Sequence, residues 1–445
     1  MLVTVGLGLL VGTTVAAVAG GFAVIGDQAA PQVRTSADLY FALSDLDAQA
    51  ANVLLVGTDP ALADDRTAAR NLYEQRRVQA DHDIDRAAQD AGADPATQQT
   101  IATTMDQLGR YESLVAQAVQ LNQLGHDSTG RPSASTLASY RQATDTMRGI
   151  LADVQRLISQ NHDVLDATYA NERGRALDTG VWVGVVGGAS VVALVGLQVL
   201  LRRRLRRTVN PALLLATALC LTLTVGGISV LASAAGQLLV AKSDAFDSII
   251  ALSQARAISY DANADESRYL VDPQRATQYQ QAFLAKSQSL LDLPGATIDR
   301  YDTTFADALR AYQANQADIR FTGYFGTEMR NITFTGERAA AERVLATYQT
   351  YQRDDRRLRA TTAHDPTAAI RFDIGTTPGT SNYDFDQFDG ALTRLIQINQ
   401  NAFDTATRAG QGDLAGWDLP IPGLGVLLII GLAVTGLWPR MAEYR

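Results

Sequence analysis

The chain has 445 residues, a formal charge of −9 and a mean hydropathy of −0.03. The acidic balance speaks against a nucleic-acid partner, and the single cysteine, Cys220, rules out any disulfide within the chain. The neutral hydropathy averages two unlike kinds of segment, because four stretches carry the roughly 20 apolar residues that a membrane crossing needs.

The first apolar stretch, residues 1–26, has no basic start and outruns the usual signal-peptide core of roughly 7–15 residues, so it reads as a retained span. Residues 27–179 read as a four-helix bundle. Pro31 and Pro60 bracket its first helix, and Gly57-Thr58-Asp59-Pro60 makes a turn in which Asp59 caps the next helix. The second helix runs from about 61 to 90, and Asp94-Pro95 opens a third. After the Gly/Ser/Pro-rich stretch 125–133, a fourth helix starts near Ala134 and runs on into the second span. Stripes such as Leu108, Tyr111 and Val115, and Met147, Ile150 and Val154, recur at helical spacing and read as core.

The second span, 180–201, carries Gly180, Gly184 and Gly188 at four-residue steps, a small-residue face suited to helix packing within the chain or in a homodimer. A hairpin at 202–210 follows, with Arg202, Arg203, Arg204, Arg206 and Arg207. Five arginines in six positions cannot sit in hydrocarbon, and by the positive-inside rule they mark the cytoplasmic face. They are also the candidate contact for lipid headgroups or a cytoplasmic partner. The third span covers 211–241. None of the spans has an interior charge, which argues against an ion or proton pathway.

Residues 242–418 form a second polar segment, with helices expected at about 243–271, 274–292, 296–320, 336–360 and 385–409. Gly336 breaks the pattern and Thr335 is placed to cap the helix after it. A long loop is expected at 361–384, and Phe372, Tyr383, Phe385 and Phe388 within or beside it are candidate contacts for an extracytoplasmic partner. The fourth span, 419–438, and a tail at 439–445 complete the chain. With the arginine hairpin inside, both termini are cytoplasmic. Only two lysines, Lys242 and Lys286, stand against many arginines, a composition typical of GC-rich bacterial genomes, so a bacterial plasma membrane is expected.

The two polar segments begin alike. Ala42-Leu43-Ser44 recurs as Ala251-Leu252-Ser253, and Leu55-Val56-Gly57-Thr58-Asp59-Pro60 recurs as Leu270-Val271-Asp272-Pro273. The fold class is therefore an all-α membrane protein, with four transmembrane helices and two extracytoplasmic helical bundles in a duplicated span–bundle–span unit. The first-helix endings, Ala51 to Pro60 and Ala264 to Pro273, resemble the four-helix sensor modules of bacterial chemoreceptors and histidine kinases. The layout of four spans, two outer helical segments and a small arginine hairpin, with the stretch from Arg330 to Arg338, resembles the GlnX-type membrane proteins of actinobacteria. That resemblance implies a relay: a solute-binding lipoprotein outside binds acidic amino acids, and a soluble serine/threonine kinase, protein kinase G, responds inside.

No phosphate-binding loop, zinc-hydrolase motif, paired-cysteine metal pattern or kinase signature occurs, so no catalytic, cofactor or metal residues are assigned. The four histidines, His82, His126, His162 and His364, have no ligand spacing. Two other readings remain open. One is a direct small-molecule sensor in which Arg268 or Arg275 pairs a ligand carboxylate, and the other is a scaffold of an envelope complex.

Overall fold

A computed structural model describes residues 2–92, 94–205 and 210–442. The protein is an all-α membrane protein: helices account for nearly all the described residues, none of which forms a β-strand, and four helices contain windows long and apolar enough to cross a membrane. The chain divides into two compact units. One comprises Met1–Ala30, Asp163–Ser243 and Ala402–Arg445, and the other Pro31–His162 and Asp244–Asn401.

The apolar unit is built on α1 (Leu2–Val24), α6 (Pro211–Leu239) and α14 (Pro420–Ala442), which pack on one another, together with the C-terminal part of α5 (Ala134–Leu205). Glycine sets the spacing of these helices. A Cβ on Gly12 would press on the Asp418 carbonyl, one on Gly8 on Val426, and one on Gly227 on Val11 and Val183. Without a hydrophobic force between helices in lipid, this close backbone approach is what holds them. Asn210 caps α6 through the Leu213 amide and donates its Nδ2 to the Gly436 carbonyl at 2.8 Å.

The polar unit begins with α2 (Ala30–Val56), which continues α1 through a π-helical turn at Ile25–Ala29. Gly57, at φ 64°, turns the chain out of α2. Asp59 then accepts the Ala61 amide at 2.9 Å and starts a short 3-10 turn at Pro60–Leu62 that leads into α3 (Ala63–Asp90). Asp94 caps α4 (Pro95–Leu124) in the same way. The 125–133 stretch folds back on the end of α2, with the Gly130 amide on the Leu55 carbonyl at 2.8 Å and the Thr58 amide on the Asp127 carbonyl at 3.0 Å. The Asp127 carboxylate in turn binds the Ser133 amide and the Thr136 hydroxyl, each at 2.8 Å, where α5 begins.

The second segment repeats the opening of the first. A π-helical stretch, Val240–Phe246, joins α6 to α7 (Asp247–Val271), and a 3-10 turn at Pro273–Arg275 leads to α8 (Ala276–Leu290). It departs from expectation in three places. The helix expected at 296–320 is shorter, α9 (Tyr301–Ala314), and a further helix, α10 (Gly323–Asn331), forms between the expected helices. The cap of α11 (Glu337–Thr362) is not Thr335: Gly336 stands there at φ 84°, and Glu337 folds back to accept the Thr333 and Phe334 amides at 2.6 and 2.8 Å. The stretch expected as a loop at 361–384 contains α12 (Pro366–Ile374), started by Asp365 through the Ala368 amide, before α13 (Ser381–Leu414) begins. The pattern of Asp365-Pro366 is the same start signal read correctly at Asp59-Pro60, but the helix it opens is short enough to pass for a loop.

The core of the polar unit joins both segments. Leu54, Leu55 and Val56 at the end of α2 pack with Leu270 and Val271 at the end of α7, over Leu358 and Ile370. A second core, within the later segment, is aromatic. Tyr348 meets Phe325 at 5.3 Å and Phe388 at 5.1 Å, and Tyr351 meets Phe385 at 5.1 Å.

Candidate sensing site

A cleft of about 630 Å³ opens among α2, α3 and α4, within the range of small-molecule sites. Its floor is apolar, with Val53 from α2 and Val115 and Val119 from α4. Its rim carries Arg70, Glu74 and Arg77 from α3 and Glu112 from α4. Arg77 is occupied, holding Glu74 at 2.9 Å and Asp81 at 3.1 Å. Arg70 is exposed and makes no ion pair among the described residues. Glu112 is half-buried, and burial raises its carboxyl above the ordinary value, with Asp81 adding to the effect. The cleft therefore offers an apolar bed with an available cation and a half-buried acid, partly offset by Arg77, at its edge.

Behind the cleft a buried charge network ties the two segments together. Arg268 of α7 is 4% exposed and pairs with Asp47 of α2 and with Asp265, and also with Asp261 at 3.2 Å. Lys286 of α8 reaches Asp261 at 2.7 Å and Asp265 at 2.5 Å, and the Tyr111 hydroxyl of α4 donates to Asp47 at 2.9 Å. Nearby, the Ser267 hydroxyl lies 2.7 Å from Asn52 and 3.1 Å from Asp373. Two further contacts cross the same seam: Arg141 grips the buried Asp272 with two hydrogen bonds of 2.7 and 2.5 Å, and Arg256 of α7, held by Asp389 of α13, lies 3.9 Å over the Phe41 ring of α2.

Beside this network lie acids with little countercharge. Glu266 accepts from the Tyr351 hydroxyl at 2.6 Å, and burial, then Asp355 and Asp373, raise its carboxyl well above the ordinary range. Burial also pushes Asp355 and Asp373 up to about 7, although Arg359 sits 2.6 Å from Asp355.

The residues expected to act are placed as follows. Phe372, Phe385 and Phe388 are buried in the core, and Tyr383 is half-exposed at the start of α13. The rings of the first three are therefore packed within the unit, Phe372 on α12, which forms where a loop was expected, and Phe385 and Phe388 on α13. Arg268 is buried as the direct-sensor reading requires, but the carboxylates it meets belong to the chain itself; Arg275 lies 3.9 Å from Asp145 near the surface. Arg202 and Arg203 are exposed on the last turn of α5, which stays helical to Leu205. The Arg204 side chain and both Arg206 and Arg207 lie outside the described residues. Gly180 and Gly188 face open space and Gly184 has an ordinary contact with Ile228, whereas the tight approach falls at Gly187 on Thr224.

The cleft itself escaped sequence reasoning. Its rim residues are ordinary polar positions on an exposed helix face, and only the low hydrophobicity of α3, with its few buried positions, hints that this helix stands off from its neighbours.

Fold and site together define an all-α membrane protein whose polar unit carries a ligand-sized cleft. Residues 21–170 match the family described as the actinobacterial sensor domain, which supports an actinobacterial sensor. The matched stretch runs from the end of α1 into the middle of α5 and holds every residue lining the cleft. No curated protein and no solved structure matches the chain.

Proposed function

We propose that the chain is a non-enzymatic transmembrane relay that reads extracytoplasmic amino-acid status in a bacterial plasma membrane. The polar unit lies outside, receives the signal from a solute-binding lipoprotein, and passes it to a soluble serine/threonine kinase through the arginine hairpin or the tail. The observation that carries this reading is the sensor-domain match over residues 21–170. Support comes also from α5, a single helix from Ala134 to Leu205 that belongs to both the polar and the apolar units. The physical scheme is a two-state helical unit. A partner shifts it only through differential affinity for the two packings, and a swing from 1:99 to 99:1 requires about 5.5 kcal/mol of such preference.

A second reading, a direct small-molecule sensor, is favoured by the cleft at Arg70 and Glu112. In-membrane crosslinking followed by purification and mass spectrometry separates the two. Recovery of a solute-binding lipoprotein and a kinase is the expected result for the relay. Recovery of the chain alone, or only with further copies of itself, removes the relay and leaves the direct sensor or a scaffold of an envelope complex.

A further inference from the structure

The stretch from Arg330 to Arg338, which stands out in the sequence, folds into the turn between α10 and α11. Glu337, fully buried there, uses one carboxylate oxygen to accept the Thr333 and Phe334 amides at 2.6 and 2.8 Å. Its other oxygen, Oε1, is buried and accepts nothing among the described residues. Beside it lies Glu328 of α10, 2% exposed, with both carboxylate oxygens buried and likewise without a donor. Neither glutamate forms an ion pair among the described residues. Arg330 is turned onto the Gly326 and Phe321 carbonyls, each at 2.8 Å, and Arg338 onto the Tyr312 hydroxyl at 3.1 Å. Asp244 adds negative charge next to Glu337. Burial first, and Glu337 after it, push the Glu328 carboxyl up to about 7.

Two acids alone do not make a site. The independent observation is Asn399 of α13, fully buried with its carboxamide against the Glu328 carboxyl. Its Nδ2 is spent on the Leu395 carbonyl of its own helix at 3.3 Å, and its Oδ1, the end left over, has no partner among the described residues. The Ser248 hydroxyl of α7 stands against the same carboxyl, steadied by the Asn331 amide at 3.0 Å. A buried acceptor without a donor costs free energy that a guest can recover. A single shared proton would serve the two carboxylates and leave the Asn399 oxygen bare, whereas a cation serves all of these oxygens at once. The donor set is oxygen only, which selects a hard ion, and two carboxylates balance a divalent one. A dry site with a carboxylate that can bind through both oxygens suits calcium better than magnesium, which keeps several of its waters.

We propose that Glu328, Glu337, Asn399 and Ser248 form a binding site for a calcium ion. Glu328 supplies both carboxylate oxygens, Glu337 its Oε1, Asn399 its Oδ1 and Ser248 its hydroxyl. Because these ligands stand on α7, α10, α11 and α13, the bound ion favours the packing in which those helices meet.

The test uses the full chain in detergent micelles near neutral pH, stripped with EGTA, with thermal unfolding followed at constant ionic strength. Calcium chloride is titrated against magnesium chloride and sodium chloride as controls. The expected result is a saturable rise of a few degrees in melting temperature with calcium, reversed by EGTA and absent with the two controls. Glu328→Gln keeps the shape of the side chain and removes its charge, so it folds without the ion and keeps the test open should Asn399→Ala fail to fold. Each of these two variants weakens the calcium response about tenfold or more in apparent affinity. Asp307→Asn, at an exposed acid of α9 in the same segment, keeps the full response. A calcium response absent from the unmodified chain, matched by magnesium, or unchanged in Glu328→Gln overturns the proposal. None of these outcomes touches the sensor reading, which rests on residues 21–170.

Discussion

The two segments of the polar unit start from the same plan and spend their buried volume differently. Each enters through a π-helical stretch and leaves its first long helix at an Asp-Pro turn. In the first, Asp59 uses its carboxylate as a helix cap, and α3 stands far enough from α4 to leave a 630 Å³ cleft. In the second, Asp272 does no capping and is fully buried under Arg141, and the space between helices is filled by Tyr348, Tyr351, Phe385 and Phe388. Buried acids also gather in the second segment, at Glu266, Asp355 and Asp373. The contrast is one of packing: the second segment is filled by aromatic rings, and the first keeps an unfilled groove, which on the proposed sensor reading is where a signal enters.

The sharpest way to break this comparison is to truncate the scaffold. Phe388→Ala removes a fully buried ring that touches Tyr348 and Tyr351, and the expected cost is about 3–5 kcal/mol. Arg268→Ala belongs in the same range, about 3–5 kcal/mol, because it strands Asp47 as a buried charge without a cation and leaves Asp265 to Lys286 alone. Both are read by denaturant unfolding of the whole chain in micelles. Val115→Ala, at the floor of the cleft, is expected to cost only about 1–2 kcal/mol, since it widens a space already open. Equal losses at Phe388 and Val115 would remove the distinction between scaffold and groove.

A smaller effect follows from the acids. Asp355 and Asp373 are raised by burial to about 7 in the folded chain, while the unfolded chain returns them to the ordinary carboxylate range. The folded state therefore holds more protons between those values, and stability falls as pH rises from roughly 5 to 8. The groups that act on Asp373 are the Ser267 hydroxyl, Asp355 and Glu266, and Arg359 stands behind them, paired with Asp355. Asp373→Asn is expected to flatten the melting-temperature profile over that range while keeping the Ser267 contact through its amide oxygen. A profile that stays steep in this variant assigns the proton to another acid.

The helices of the first segment were legible because each is announced by chemistry that acts locally. Asp59, Asp94 and the glycines of the connecting turns dictate where the chain stops and starts, and apolar stripes dictate which face goes inward. The second segment was less legible where long-range packing overrides local signals. Phe372 and Phe385 read as exposed aromatics on a loop because nothing in their neighbourhood says that Arg357 and Tyr260 will cover them. Arg268 could be picked out as a candidate buried cation, but not its partner Asp47, which is 221 positions away in the chain. Gly180, Gly184 and Gly188 show the same limit: the spacing is right for close approach, but helix rotation puts Gly187 at the contact. The cleft is the least legible feature, since it is defined by what two helices fail to fill.

The smallest stability effect probes the function most directly. Arg70 is exposed and makes no ion pair among the described residues, so Arg70→Ala should change stability by no more than about 0.5 kcal/mol. Arg77→Ala should be nearly as mild, because its pairs with Glu74 and Asp81 are exposed ion pairs worth about 0.2–1 kcal/mol. The two differ in what they leave behind. Loss of Arg70 takes away the free cation at the rim, whereas loss of Arg77 releases Glu74 and makes the rim more acidic. If the cleft receives an anionic group, whether from a small ligand or from the surface of a lipoprotein, both variants weaken the response, and Arg70→Lys restores part of it by returning the charge without the planar fork. If the response in cells, read as crosslinking yield to the captured partner, is unchanged in Arg70→Ala and in Arg77→Ala alike, the cleft is not the receiving surface. The groove in the first segment would then be only a gap in packing, and the asymmetry between the two copies would carry no signal.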